Sequence, residues 1–476
     1  MQRPKFFKTR RATMPQMRVL PASFAASAVR EELLPLLRMA GPVVLAELGW
    51  MAMTIEDTIM VGRVSPAAIG AVAIGGNLFY TVAVFGIGLL LGLDTLISQS
   101  FGAGDIDDCH RSLFGGLYLA LFISPVLMLA TSAWVPLLRI YGIDPLVLRD
   151  AIPFFEAMMW GVFPLLVYVA ARRYLQAMSL VKPVMFSLIT ANLVNIAGNW
   201  ILVFGHWGFP AMGARGSGWS TFIARVYMAG SLVVYILYHA ARNHTGLARA
   251  SRRPDWTRMN KLVNLGLPAA LQISVEVAIF ALTSVLIAKI SATWLAAHQI
   301  ALSVASVTFM VPLGISSASA VRVGQAIGRK DAEGAARSGW TSILLGGSVM
   351  FCFGIFFWLA PRFIAHIFTP DEAVTSAAAK LLLVAALFQL FDGIQTVATG
   401  ALRGAGDTKS PLVAHLLFYW VVGLPIGIWL GFGLNWGAVG LWIGLCVALI
   451  LIGIALLIVW ERRVHSLSRA LAIVSP

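Results

Sequence analysis

Six carboxylates stand where hydrocarbon is expected. Glu47, Glu56, Asp57, Asp94, Glu276 and Asp392 all fall inside long apolar runs. A charged side chain at the centre of a bilayer costs roughly 2.5–3.5 kcal/mol even on lenient insertion scales. Such residues therefore face a bundle interior or a water-filled cavity and mark ion or substrate pathways. The chemistry they suit is ion coupling. A carboxylate in apolar surroundings holds its proton more tightly and releases it when a cation binds, so it can exchange H⁺ for Na⁺ or for a cationic substrate.

Two of the six have the strongest settings. Glu276, in 270-ALQISVEVAIFAL-282, stands about 14 residues and roughly 21 Å into its helix, with Gln272 one turn below on the same face. Asp392, in 387-LFQLFDGIQTVATGAL-402, has Gln389 and Gln395 three residues to either side. Carboxylate, carbonyl and amide oxygens suit a hard monovalent cation, so Glu276 and Asp392 are the candidate metal ligands if Na⁺ is the coupling ion. In 51-MAMTIEDTIMVGRVS-65, Glu56 and Asp57 point about 100° apart on a helix, so one faces the lumen and the other a neighbouring helix or the outer interface. Glu47 is isolated, and reads as a structural or a functional acid. Asp94 lies about a turn from the inner end of its helix, within reach of water. Asn192, Asn195 and Asn199 share one helix face, as a polar lining or as helix-to-helix hydrogen-bond glue. Met53, Phe280 and Phe309 are candidates for an adaptable substrate cavity, with ordinary helix packing the alternative. No phosphate-binding Gly loop, zinc spacing, nucleophile elbow or polar cluster at a helix end is found, so an enzyme is not expected.

The elements that must hold these groups follow from composition. The 476 residues are 59% hydrophobic and 12% charged, against about 45–50% and 25% in soluble domains. This is an all-α polytopic membrane protein. Apolar runs near 36–60, 68–98, 112–135, 151–171, 184–204, 217–240, 262–288, 295–320, 340–360, 378–402, 411–431 and 438–460 give twelve transmembrane helices. With both termini cytoplasmic, the inner segments hold 27 Lys and Arg and the outer segments seven, with Arg225 inside a helix. That asymmetry is the positive-inside pattern, so the net charge of +14 reports topology and anionic lipid contact rather than nucleic acid. Three scattered cysteines form neither a disulfide framework nor a metal site.

The chain repeats itself. A shift of 226 positions lays 42–111 over 268–337 without a gap, with 11 of 70 positions identical. Pro42 meets Pro268, Ser65 meets Ser291, Gly88 meets Gly314, and Gln99, Gly102 and Asp105 meet Gln325, Gly328 and Asp331. Nearby, 175-LQAMSLVKP-183 parallels 402-LRGAGDTKS-410. Each half carries six helices, an even number, so the halves enter the membrane in the same sense and form two bundles related by a pseudo-two-fold axis along the membrane normal. The organisation expected is a cytoplasmic extension over 1–32, an N-terminal lobe over 33–240, a linker over 241–261, a C-terminal lobe over 262–462 and a tail over 463–476. The basic start of the chain superficially resembles a signal peptide, but Pro21 interrupts its apolar stretch, and a later start at Met14 or Met17 is the plainer alternative.

From about 33 to 462 the chain resembles the multidrug and toxic compound extrusion (MATE) transporters, NorM-type subgroup. The resemblance rests on 57-DTIMVGRVS-65, 99-QSFGAGD-105, 178-MSLVKP-183, 275-VEVAIFA-281, 296-AAHQIAL-302, 322-RVGQAIG-328 and 391-FDGIQTVATGALRG-404. It implies a monomeric antiporter of the bacterial inner membrane that exports bulky, often cationic drugs in exchange for Na⁺ or H⁺, with no cofactor. It further implies a cation site at Glu276 and Asp392 in the C-terminal lobe, and one at Asp57 in the N-terminal lobe beside Asn195 and Asn199. Asp57 is expected to face a wet cavity between lobes, where a cation can replace its lost hydration. Some relatives carry an acid where this chain has Asn199, which weakens a proton relay in the N-terminal lobe. The alternatives are a flippase for lipid-linked precursors, which would want a basic lumen where this one looks acidic, and a multipass enzyme or channel.

Overall fold

The computed structural model describes residues 26–136, 145–251 and 253–472, so most of the expected N-terminal extension and the last residues of the tail lie outside the described residues. Those described build helices and no strand, as a bilayer requires of any chain that must satisfy its backbone groups internally. The spans are α1 (Ala26–Gly62), α2 (Pro66–Gly102), α3 (Ile106–Ser132), α4 (Pro145–Trp160 and Val162–Ala177), α5 (Val181–Leu202), α6 (Ala214–Arg242), α7 (Trp256–Ala288), α8 (Ala292–Gly328), α9 (Ala332–Leu359), α10 (Glu372–Gly404), α11 (Lys409–Gly433) and α12 (Gly437–Ala472). Among the described residues eleven are long and apolar enough to cross a membrane, and α4, bent by 44°, completes a twelfth.

Helices run well past the apolar windows where the backbone has no reason to stop. The last continues twelve residues beyond 460, through Glu461, Arg462 and Arg463. Several starts carry side-chain caps. Ser65 accepts from the Ala68 amide at 3.1 Å and its repeat mate Ser291 from Trp294 at 3.2 Å. Asp105 accepts from the Asp108 amide at 2.8 Å and its mate Asp331 from Gly334 at 2.7 Å. The bend of α4 falls at Gly161, where an added Cβ would lie 2.7 Å from Arg225 Nη1 and 3.0 Å from the Met158 carbonyl. The α11 span is wound as π-helix over Leu416–Gly423 and Trp429–Gly433, on either side of Pro425, which has no N–H for the helical ladder.

The two bundles meet along a seam that repeats the sequence symmetry contact by contact. A Cβ on Gly88 of α2 would lie 2.4 Å from Ala270 Cα of α7; one on Gly314 of α8 would lie 2.8 Å from Val44 Cα of α1. Both residues of each pair are 226 positions from their counterparts. Likewise a Cβ on Gly102 or Gly328 would lie 2.1 Å from the carbonyl oxygen of Gln325 or Gln99 respectively. The same glutamines then cross the seam: Gln99 Nε2 donates to the Gly404 carbonyl at 3.0 Å and Gln325 Nε2 to that of Ala177 at 2.8 Å. Only glycine permits backbones this close. These contacts lie toward the end of the molecule that carries the basic connecting loops.

Candidate functional site

Glu276 sits in a polar chain that runs through the second bundle. Gln272 Nε2 lies 3.3 Å from Glu276 Oε2 and 3.3 Å from His415 Nε2. His415 Nε2 is 3.1 Å from Gln395 Oε1 and 3.8 Å from Glu276 Oε2. Gln395 Nε2 in turn donates to Asp392 Oδ1 at 3.1 Å and lies 3.0 Å from Thr396 Oγ1. Helices α7, α10 and α11 thus each contribute to one connected set. His415 Nδ1 faces the Pro411 carbonyl at 2.7 Å, and a carbonyl only accepts, so Nδ1 carries the proton and Nε2 is the nitrogen turned to the Gln272 and Gln395 amides. His415 was not among the residues singled out from sequence; a single imidazole within 411-PLVAHLLFYW-420 was the available signal. Gln389 turns away from the set and donates to Thr308 at 3.0 Å.

Two carboxylates and two side-chain amides supply the oxygen donors a hard cation needs. Among the described residues no cluster of three or more His, Cys, Asp and Glu has a metal-holding arrangement.

Asp57 occupies a separate site. Asn195 and Asn199 donate to its Oδ1 at 2.8 and 2.7 Å, and Thr221 to its Oδ2 at 2.9 Å. Ser220 donates to the Asn195 carbonyl at 2.7 Å and fixes that asparagine's neighbourhood. The carboxylate is buried where α1, α5 and α6 meet inside the first bundle, and it does not line the cavity between bundles as the sequence led one to expect. The spacing of three and four explains why: it turns the asparagines of α5 toward α1, and Asp57 is drawn to them. Asn192, one turn earlier, donates to the Leu188 carbonyl of its own helix at 2.8 Å instead.

Between the bundles lies a cavity of about 190 Å³, walled by α1, α2 and α4 on one side and α7, α8 and α10 on the other. Glu276, Gln272 and Gln395 line it, so the polar chain opens onto it. Phe309 lines it as well. Met53 and Phe280 do not: Met53 is buried in the core, and Phe280 packs edge-on against Tyr419 at 6.2 Å. A larger hollow of about 670 Å³ lies elsewhere, against the 244–249 connection, and contains none of the candidate residues.

The cavity is less acidic than its helices suggested. Arg172, Arg173 and Arg403 line its floor. Glu47 is not isolated but forms an ion pair with Arg172. Asp94 is not open to water: at 1% exposure it lies behind the floor, with Oδ2 3.4 Å from Arg173 Nη1 and 3.2 Å from Arg403 Nε. The positive-inside count assigned these arginines to the inner loops, whereas α4 and α10 extend far enough to fold them inward.

The MatE family profile matches residues 42–201 and again 268–429, two matches whose starts are separated by the repeat length of 226. The "Probable multidrug resistance protein NorM" of Mesorhizobium japonicum is 38% identical over 442 residues, covering 91% of this chain and 94% of that protein. The "Multidrug resistance protein MdtK" of Yersinia pseudotuberculosis is 35% identical over 421 residues, covering 87% and 92%. In fold, the crystal structure of the eukaryotic MATE transporter AtDTX14 superposes with a TM-score of 0.85 at 21% identity, over 93% of this chain and all of that one. With the profile repeated across both halves and such relatives matched nearly end to end, the chain belongs to the MatE family of multidrug and toxic compound extrusion transporters.

Proposed function

We propose that this membrane transporter is a secondary-active multidrug efflux antiporter. It exports bulky, often cationic organic compounds in exchange for Na⁺ or H⁺, from the bacterial inner membrane, with both termini cytoplasmic. The transporter names of its relatives support the export of drugs. The observation that carries the exchange is the double membership of Glu276, which lines the inter-bundle cavity and belongs to the polar chain that ends at Asp392.

A group shared in this way makes ion and substrate compete. A cation or proton taken up at Glu276 and Asp392 withdraws the negative charge that a cationic substrate would use. Linkage then requires the ion to prefer the conformation that releases substrate outward, and the substrate the other. At about 190 Å³ the cavity is below the roughly 300–1,000 Å³ of drug-sized sites. Admission of a drug therefore requires the bundles to rock apart about the glycine seam. Asp57, with three donors on one carboxylate, supports this cycle from within the first bundle.

Purified protein reconstituted into liposomes with an imposed Na⁺ or H⁺ gradient and a fluorescent organic cation tests the proposal. Glu276→Gln and Asp392→Asn are each expected to reduce gradient-driven transport at least ten-fold while leaving the protein folded. Wild-type rates from either variant reject it.

A further inference from the structure

The floor of the cavity holds more positive charge than its own acids balance. Three guanidinium groups, Arg172, Arg173 and Arg403, line it. Two carboxylates answer them: Glu47 is committed to Arg172, and the single Oδ2 of Asp94 is shared by Arg173 at 3.4 Å and Arg403 at 3.2 Å. Charge-assisted N–H···O contacts run nearer 2.7–2.9 Å, so the shared pair is loosely made. All three arginines are more than nine-tenths buried, at 5, 7 and 6% exposure. A guanidinium is always charged, and a buried one without its own counter-ion is strongly unfavourable. The other acid on the cavity wall, Glu276, is partnered by Gln272 and His415 of the second polar set.

Uncommitted donors surround the same spot. Arg172 Nε and Arg173 Nε have no hydrogen-bond partner among the described residues, and neither has Thr399 Oγ1 on the cavity wall. Arg173 Nη1 reaches only Ser317 Oγ besides Asp94, at 3.3 Å. We infer that Arg173 and Arg403, with Thr399 beside them, form a carboxylate-binding subsite, so that the cavity is bipolar and prefers zwitterionic substrates. The substrate carboxylate supplies the missing counter-charge at the floor, and its ammonium or iminium group turns to Glu276. Arg172, tied to Glu47, holds the floor in place. The inference rests on the antiport reading only in taking this cavity as the substrate path.

The test uses the full chain in lipid nanodiscs with no ion gradient. Tetramethylrhodamine, a zwitterion, is compared with its methyl ester, a cation with the same ring system, by fluorescence polarisation. The zwitterion is expected to bind at least ten-fold tighter, and benzoate, but not benzamide, to displace it. The zwitterion-to-ester preference is expected to fall within about three-fold in Arg403→Gln and in Arg173→Gln, and to return in part in Arg403→Lys. An ester that binds as tightly as the zwitterion to wild-type protein overturns the subsite, as does a preference that survives both glutamine variants. If those variants do not fold, the wild-type ratio and the benzoate competition decide the matter alone. Because no gradient is present, a failure of ion coupling leaves these measurements untouched, and loss of gradient-driven export with the preference intact counts only against the antiport reading.

Discussion

Asp57 accepts from three side chains, and that arrangement predicts how its variants divide. Asp57→Ala strands the Asn195, Asn199 and Thr221 donors in a buried site, at a cost of about 2–5 kcal/mol. Asp57→Asn keeps an oxygen for the two asparagines and should cost less than half as much. Thermal unfolding in nanodiscs measures the difference, and equal losses would show that the charge, not the hydrogen bonds, holds the site. At this scale the sequence was legible wherever a residue type was out of place: a carboxylate in an apolar run announces itself, and so Glu276, Asp392 and Asp57 could be named. Their partners were harder. His415 adds no formal charge to its helix, and Arg172, Arg173 and Arg403 stand at helix ends where basic residues are ordinary. Whether such an arginine points to solvent or folds inward depends on the neighbouring bundle, which a one-dimensional pattern does not contain.

The helices α2 and α8 carry the seam, and their glycines set how closely the bundles approach. Gly102→Ala or Gly328→Ala would bring a Cβ within 2.1 Å of a carbonyl oxygen on the opposite bundle, so the closed end must part. A cysteine at Ala177, fully buried with its carbonyl accepting from Gln325 Nε2 at 2.8 Å in the seam, should then react with maleimide several-fold faster in an otherwise cysteine-free protein. Gly76→Ala, with nothing within 4 Å of the added carbon, is the control and should leave the rate unchanged. Unchanged labelling in the seam variants would show that these contacts do not close the molecule. The repeat and its caps were readable because they depend on local backbone geometry at Ser65, Ser291, Asp105 and Asp331. The π-helical turns of α11 were not, since a widened turn leaves the apolar pattern of 416–433 without a signature.

Across the whole molecule, the connections after the even-numbered helices, with the two chain ends, make up the inner segments that hold 27 of the 35 Lys and Arg. A cysteine at Arg249 should therefore label with an impermeant reagent only after cells are opened, and one at Trp207, 78% exposed on the opposite loop, should label in intact cells. The reverse pattern would invert the proposed orientation. The twelve-span architecture was legible from hydropathy alone, and its two-fold relation from 11 matched residues; the depth of the floor arginines was not, because hydropathy says where a span ends only to within a turn or two. The seam itself has one further implication. Where main chain rests on main chain there are few rotamers to freeze on closure, so sealing and unsealing that end restores the same fit without a search through side-chain arrangements. Such a joint can work for many cycles as a bearing, its geometry written into the absence of side chains.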